Sequence, residues 1–151
     1  GWQKRRNGWD IDPKLMSFSL GVVQTISACV KLFTPEGGSV LIQTPVYSEF
    51  YDMAEAWNRK VLENRFLEHD GKWSVDWADF EEKLQQADLF LLCSPHNPLG
   101  IVWEEAELRR MMELCLKHQR GHRHLRHQDL QPGRPPGQHR GVPRRPQEAG
   151  L

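Results

Sequence analysis

Leu91-Leu92-Cys93-Ser94-Pro95-His96-Asn97-Pro98-Leu99-Gly100 is the stretch on which the fold of this chain turns. The apolar run Leu89 to Cys93 leads into it, and Pro95, Pro98 and Gly100 close it as a turn. A buried parallel strand that ends in a loop has this form, and open α/β sheets place ligands at the carboxyl ends of their strands. Asn97, at the tip, carries an amide that both donates and accepts. Asn-Pro-x-Gly alone is also what an ordinary turn contains. Its surroundings have to carry the argument.

Working outward, the spacing predicts alternating strands and helices. Met16 to Val23 alternates and then turns apolar, as a short strand reaching Gly21 would. Val22 to Phe33 has the pattern of a largely buried helix, stopped by Pro35, Gly37 and Gly38. Val40-Leu41-Ile42 reads as a buried strand closed by Thr44-Pro45, and Tyr47 to Trp57 as a helix. Lys60 to Phe66 suits a strand, His69 to Lys72 a turn, and Asp76 the cap of a helix through Phe80 and Leu84. Asp88 to Cys93 is the next strand. Glu104 to His118 is a helix with Leu108, Met111, Met112, Cys115 and Leu116 at three-to-four spacing. Four strand–helix rounds imply an α/β fold of three layers, a mostly parallel sheet covered by helices.

Charge divides the chain. Residues 1–118 carry 13 basic and 18 acidic side chains, a net of −5, whereas residues 119–151 carry seven Arg and two acids, a net of +5. Arg, His, Gly, Pro and Gln fill 26 of those last 33 positions, so two compositions join near His118. The opening Gly1, within polar, Trp-rich sequence, reads as a cut end. No run approaches the roughly 18 apolar residues of a membrane span, and no signal peptide is recognisable. Cys29, Cys93 and Cys115, odd in number and scattered through apolar runs, suit reduced thiols in the cytoplasm.

Three turns at strand ends are candidate ligand sites. Gly21-Val22-Val23-Gln24 starts a helix whose first N–H groups lack intrahelical partners, an arrangement suited to phosphate. Tyr47, soon after a strand, offers a flat face for stacking. Asn97 is the third. Gly21-Val22-Val23, Phe33-Thr34, Gln43-Thr44-Pro45-Val46-Tyr47 and Cys93-Ser94-Pro95-His96-Asn97-Pro98-x-Gly100, in that order, resemble the pyridoxal-phosphate enzymes of the aminotransferase fold (fold type I). The closest branch is the cystathionine beta-lyase type of carbon–sulfur lyase, and Trp2, Arg6 and Trp9 resemble the segment that precedes these motifs. The resemblance covers residues 1 to about 118, a partial large domain. It implies pyridoxal 5′-phosphate as cofactor, with Val22, Val23 and Gln24 at its phosphate, Tyr47 stacked on its ring and Asn97 bonded to its ring hydroxyl. It also implies a small amino-acid substrate, β-elimination on cysteine conjugates, and a homodimer in the complete family, with transamination as the alternative. Gly37-Gly38 departs from the usual Gly-Asp.

The lysine that would hold the cofactor covalently has no match: none follows Lys117, and no earlier lysine occupies the equivalent place. No catalytic residue is therefore assigned, and the chain is expected to be inactive as it stands. His96 matches a common family residue but is given no chemistry, and Trp73, Trp77 and Trp103 read as packing residues. His118, His122, His124 and His127 lack the partners of a recognisable metal site, so no metal is assigned. A rival reading of another class is a non-catalytic protein whose basic tail binds RNA or another polyanion; nucleic acid is the weaker partner, since any such tail attracts polyanions at low salt.

The tail itself reads as an unfolded or frameshifted product. Codons allowed for Gly121 to His127, shifted by one base, permit Val-Ile-Val-Ile-Ser-Asp-Ile, an apolar strand with the Ser-Asp that the family carries there. Sequencing the locus is the check, and codons that yield no apolar strand in a neighbouring frame would refute the idea. At the protein level, Arg, Pro and Gly at this density bury too little apolar surface to order a chain. Limited proteolysis is expected to remove the tail near His118 and spare what precedes it; a tail that survives conditions digesting an unfolded control would count against this.

Overall fold

The computed structural model describes residues 1–118; the tail of residues 119–151, with the expectations attached to it, lies outside the described residues. In chain order the elements are α1 (Trp2–Asn7), a 3-10 turn (Pro13–Leu15), α2 (Val22–Phe33), β1 (Ser39–Thr44), α3 (Glu49–Ala56), β2 (Lys60–Arg65), β3 (Leu67–His69), β4 (Lys72–Ser74), α4 (Trp77–Leu84), β5 (Leu89–Leu91) and α5 (Glu105–Lys117). Three strands form a parallel sheet in the order β2-β1-β5, with Leu41 level with Leu62 on one side and Phe90 on the other. β3 and β4 form a separate hairpin around Asp70-Gly71, both at positive φ, as a tight hairpin turn requires.

Strand β1 is buried at every residue, and its alternation sends side chains into two cores. Leu41 packs with Phe80, Leu84, Trp103 and Met111, on the side of α4 and α5. Val40 and Ile42 pack with Val30, Phe50 and Ala54, on the side of α2 and α3. That is the three-layer arrangement expected from the sequence.

Helix ends are closed by local chemistry. The Thr34 hydroxyl donates to the Val30 carbonyl at the end of α2, and the Arg59 guanidinium donates to both the Thr34 carbonyl (3.1 Å) and hydroxyl (2.6 Å). Trp57 Nε1 donates to Ser27 Oγ at 2.9 Å, tying the segment after α3 to α2. Asp76 caps α4 by accepting from the Asp79 N–H, and Glu104 with Glu107 forms a capping box at the start of α5.

The differences from expectation have physical causes. Met16–Leu20 forms no strand; Phe18 and Leu20 are more than nine-tenths exposed, and no strand pairs with the segment among the described residues. An alternating pattern needs a neighbour and a surface to cover, and here it has neither. The parallel sheet accordingly has three strands instead of four. β5 spans only Leu89–Leu91 and is half-buried, because it lies at an edge of this sheet. Helix α2 is amphipathic instead of largely buried: Val30 is inside, whereas Val22 and Leu32 are exposed. The polar, Trp-rich start, for which no element is expected above, contains the short helix α1.

Asn64 is fully buried, and its amide nitrogen donates to the Asp76 carbonyl (3.0 Å) and to Asp79 Oδ2 (2.8 Å), fastening α4 to β2. Desolvation pushes the Asp79 pKa up, but the hydrogen bonds from Asn64 and Lys83 outweigh it and leave it below the usual value. A carboxylate with a depressed folded pKa contributes stability above its unfolded pKa and loses it as pH falls through the folded one. Asn64→Ala should cost about 1–3 kcal/mol near neutrality by removing two interior hydrogen bonds, one of them to the Asp79 carboxylate. Urea melts should show the gap between wild type and variant narrowing in acid; a gap independent of pH would contradict this account.

Candidate functional site at the carboxyl edge of the sheet

Past the last residue of β1 the chain enters Pro45-Val46-Tyr47, and past β5 it enters the loop that carries Asn97. The two segments meet: the Tyr47 N–H donates to the Asn97 carbonyl at 3.0 Å. The Asn97 N–H in turn donates to Cys93 Sγ at 3.3 Å. Behind it, the His96 N–H donates to the Ile101 carbonyl (2.8 Å) and the Gly100 N–H to the His96 carbonyl (2.7 Å). Gly100 stands at φ +67°, a left-handed conformation that favours glycine. Trp103, buried, donates its Nε1–H to the Cys93 carbonyl at 2.8 Å, closing the loop against the core.

Val22, Tyr47 and Asn97 line one cleft of about 300 Å³, together with Ile26, Phe50 and the Leu91–Pro95 stretch. Val23 and Gln24 do not line it with their side chains; they occupy the first turn of α2, which no side chain caps. Of the five residues singled out in the sequence, the structure thus gathers three around the cleft and sets the other two beside it. Ile26 and Phe50 were not anticipated, although each lies one helical turn beyond a residue that was. None of the lining residues carries a formal charge.

An anion in this cleft would meet the positive end of α2 and its unbonded N–H groups. At Gly21 an added Cβ would lie 2.9 Å from Gln24 Oε1 and near nothing else, so the Gln24 side chain folds back over the start of the helix. The Tyr47 ring is partly exposed, and its hydroxyl pKa is raised, first by hydrogen bonding to the Glu49 carboxylate and then by desolvation and the Glu49 charge. The same contact lowers the Glu49 pKa. Burial pushes the His96 pKa down, against a smaller upward pull from the Gln43 carbonyl.

The other residues read from sequence lie elsewhere. Trp103 is a core residue, Trp77 packs edge-on against Phe80, and Trp73 stands on the exposed hairpin. The three cysteines are unpaired, and among the described residues no three His, Cys, Asp or Glu side chains gather as a metal site. His118 pairs with Glu81 at 2.7 Å. No helix among the described residues is long and apolar enough to cross a membrane.

A cleft outside the carboxyl ends of parallel strands is where open α/β folds place their ligands. Residues 2–122 match the model of the family "Aminotransferase class I and II", and the chain belongs to that family. It is 44% identical over 120 residues to cystathionine beta-lyase PatB of Bacillus subtilis (strain 168), an alignment covering 78% of this chain and 31% of the relative. Cystalysin from Treponema denticola, whose crystal structure contains a pyridoxal 5′-phosphate cofactor, superposes with a TM-score of 0.73 at 36% identity, covering 77% of this chain and 30% of that one. The PLP-bound C-S lyase from Staphylococcus hominis gives a TM-score of 0.73 at 25% identity, covering 78% and 30%. The chain spans less than a third of the length of these relatives.

Tyr47 and Tyr51 are the only tyrosines in the chain, so its titration can be isolated. In a Tyr51→Phe background, Glu49→Gln should bring the Tyr47 phenol pKa down, because the negative charge that favours the protonated form is removed and the amide that replaces it can also donate to the phenolate. Tyrosinate absorbance against pH is the measurement, and an unmoved midpoint would mean that Glu49 does not govern this ring.

Proposed function

We propose that this chain carries part of the pyridoxal 5′-phosphate site of a cystathionine beta-lyase-like carbon–sulfur lyase. The observation that carries the reading is the convergence of Val22, Tyr47 and Asn97 on one cleft beside an uncapped helix start. The residues present fit the group. The N–H groups of Val22, Val23 and Gln24 would take its phosphate, the Tyr47 ring would stack on its pyridine, and the Asn97 amide would bond its ring hydroxyl. The cleft, at about 300 Å³, lies at the small end of the range of about 300–1,000 Å³ for ligand pockets. When bound, the cofactor supplies an electron sink for a carbanion at the α-carbon of an amino acid. In the whole protein that chemistry would break the carbon–sulfur bond of a cysteine conjugate, releasing a thiol and, after hydrolysis, pyruvate and ammonia. A homodimer and a cytoplasmic setting belong to the same proposal, and three unpaired cysteines support the latter.

Transamination is the second reading, favoured by the breadth of the family match itself. The lyase comes first because the 44% identity to cystathionine beta-lyase PatB and the likeness to the C-S lyase from Staphylococcus hominis both support it.

No lysine lines the cleft, so the 151-residue chain should hold the cofactor weakly and without a covalent bond. The clean probe is 4′-deoxypyridoxine 5′-phosphate, which lacks the aldehyde and cannot label surface lysines. Titration should give weak, saturable binding that Tyr47→Ala and Asn97→Ala each reduce by about tenfold, the scale of one lost stacking or hydrogen-bonding contact. Borohydride reduction of the chain with pyridoxal 5′-phosphate should give no stoichiometric adduct. Absence of saturable binding would remove the cofactor reading, whereas one stoichiometrically labelled lysine with turnover of cystathionine would show that the chain is competent alone.

A further inference from the structure

His96 differs from the loop around it. Ser94, Pro95, Asn97 and Pro98 are exposed, yet His96 is 2% exposed and among the largest fully buried side chains of the described residues. Its ring meets Phe66 edge-on at 4.9 Å and Trp103 at 6.0 Å between centroids. Its Nε2 lies 3.3 Å from the Gln43 carbonyl, near the end of β1. A carbonyl can only accept, so Nε2 carries the proton and Nδ1 is left as an acceptor. The bond therefore joins the loop bearing Asn97 to the strand whose continuation bears Tyr47, one residue before the Tyr47–Asn97 backbone bond.

We propose that His96 is a positioning residue: its buried Nε2–H, given to the Gln43 carbonyl, fixes the Asn97 loop against the end of β1 and so sets the Asn97 side chain on the cleft shared with Tyr47. An apolar residue of similar size would fill the space between Phe66 and Trp103 but would leave the carbonyl unpaired and the loop untethered. The effect on ligand binding rests on the cofactor reading above; the tether does not.

Two measurements on the 151-residue chain separate these levels. Amide hydrogen exchange reads the tether: in His96→Leu, the Tyr47 and Gly100 amides should exchange about tenfold faster, the scale of one lost hydrogen bond, while Leu41 is unchanged. His96→Gln, which keeps an N–H donor, should restore protection. Titration with 4′-deoxypyridoxine 5′-phosphate reads the consequence, with about tenfold weaker binding in His96→Leu and recovery in His96→Gln. Unchanged Tyr47 exchange in His96→Leu, acceleration that includes Leu41, or His96→Gln behaving like His96→Leu would overturn the tether. A loosened loop with unaltered binding would overturn the positioning of Asn97. Loss of protection in a chain whose wild type binds no probe would refute the cofactor reading and leave the tether standing. Should His96→Leu not fold, nitrogen NMR of the wild-type imidazole decides: the Nε2–H tautomer is expected, and the Nδ1–H tautomer would refute the bond.

Discussion

Burial of β1 on both faces is the constraint from which the rest of the structure follows. Leu41 is committed to the core under α4 and α5, and Val40 and Ile42 to the core under α2 and α3. With a side-chain period of two, a slip of one residue would exchange these sets and put each against the wrong helices. The register with β2 and β5 is thereby fixed, and so is the point at which each chain segment leaves the sheet. Val22, Tyr47 and Asn97 are far apart in sequence and share a cleft because this strand and two elements packed on it, α2 and β5, deliver them to its carboxyl end.

Polar chemistry in the interior is concentrated at that same end. Gln43, Asn64 and His96 are buried there, and each gives a hydrogen bond to a neighbouring element. An unpaired buried polar group costs as much as several apolar contacts return, so such bonds restrict the permitted arrangements more sharply than packing does. The apolar half of the sheet provides cohesion. Its polar end provides geometry, by fixing α4 through Asn64 and the Asn97 loop through His96.

Much of this was legible in the sequence, and the failures are physically consistent. Helix α2 was read to its observed ends, because Gly21 and the Pro35–Gly38 segment punctuate it and its period is strong. The interior strand β1 was readable because three consecutive apolar residues, bounded by turn formers, have little alternative. Met16–Leu20 misled because a period shows which face would be apolar, not whether anything lies against that face. Leu89–Cys93 was read as an interior strand for the same reason; its composition is that of one, but among the described residues it pairs on one side only. At the site, Asn97 and Tyr47 were visible as turn residues beside strands. The burial of His96 was not, since nothing local distinguishes a turn histidine that points inward from one in solvent. Its pocket needs Phe66 from beyond β2 as well as Trp103 from the far side of the turn, and the sequence does not show that the two meet.

Under the cofactor reading proposed above, the cleft would have to attract an anion without a charged side chain in its described lining. Its described lining contains hydrophobic, aromatic and amide side chains and no formal cation, so attraction for an anion falls to the backbone at the start of α2. A helix terminus contributes about half a unit charge, screened by solvent where the first turn is as open as it is at Val22. Orientation is better provided for than affinity: Tyr47 and Asn97 are joined through the backbone, and their loop is fastened to β1 and to Trp103. Preorganised contacts of this kind would, under the same reading, specify where a planar ring lies while contributing little of the energy that keeps it there. That emphasis is a consequence of topology, because a sheet edge fixes directions through the backbone, and the side chains that the described elements bring to the cleft carry no charge.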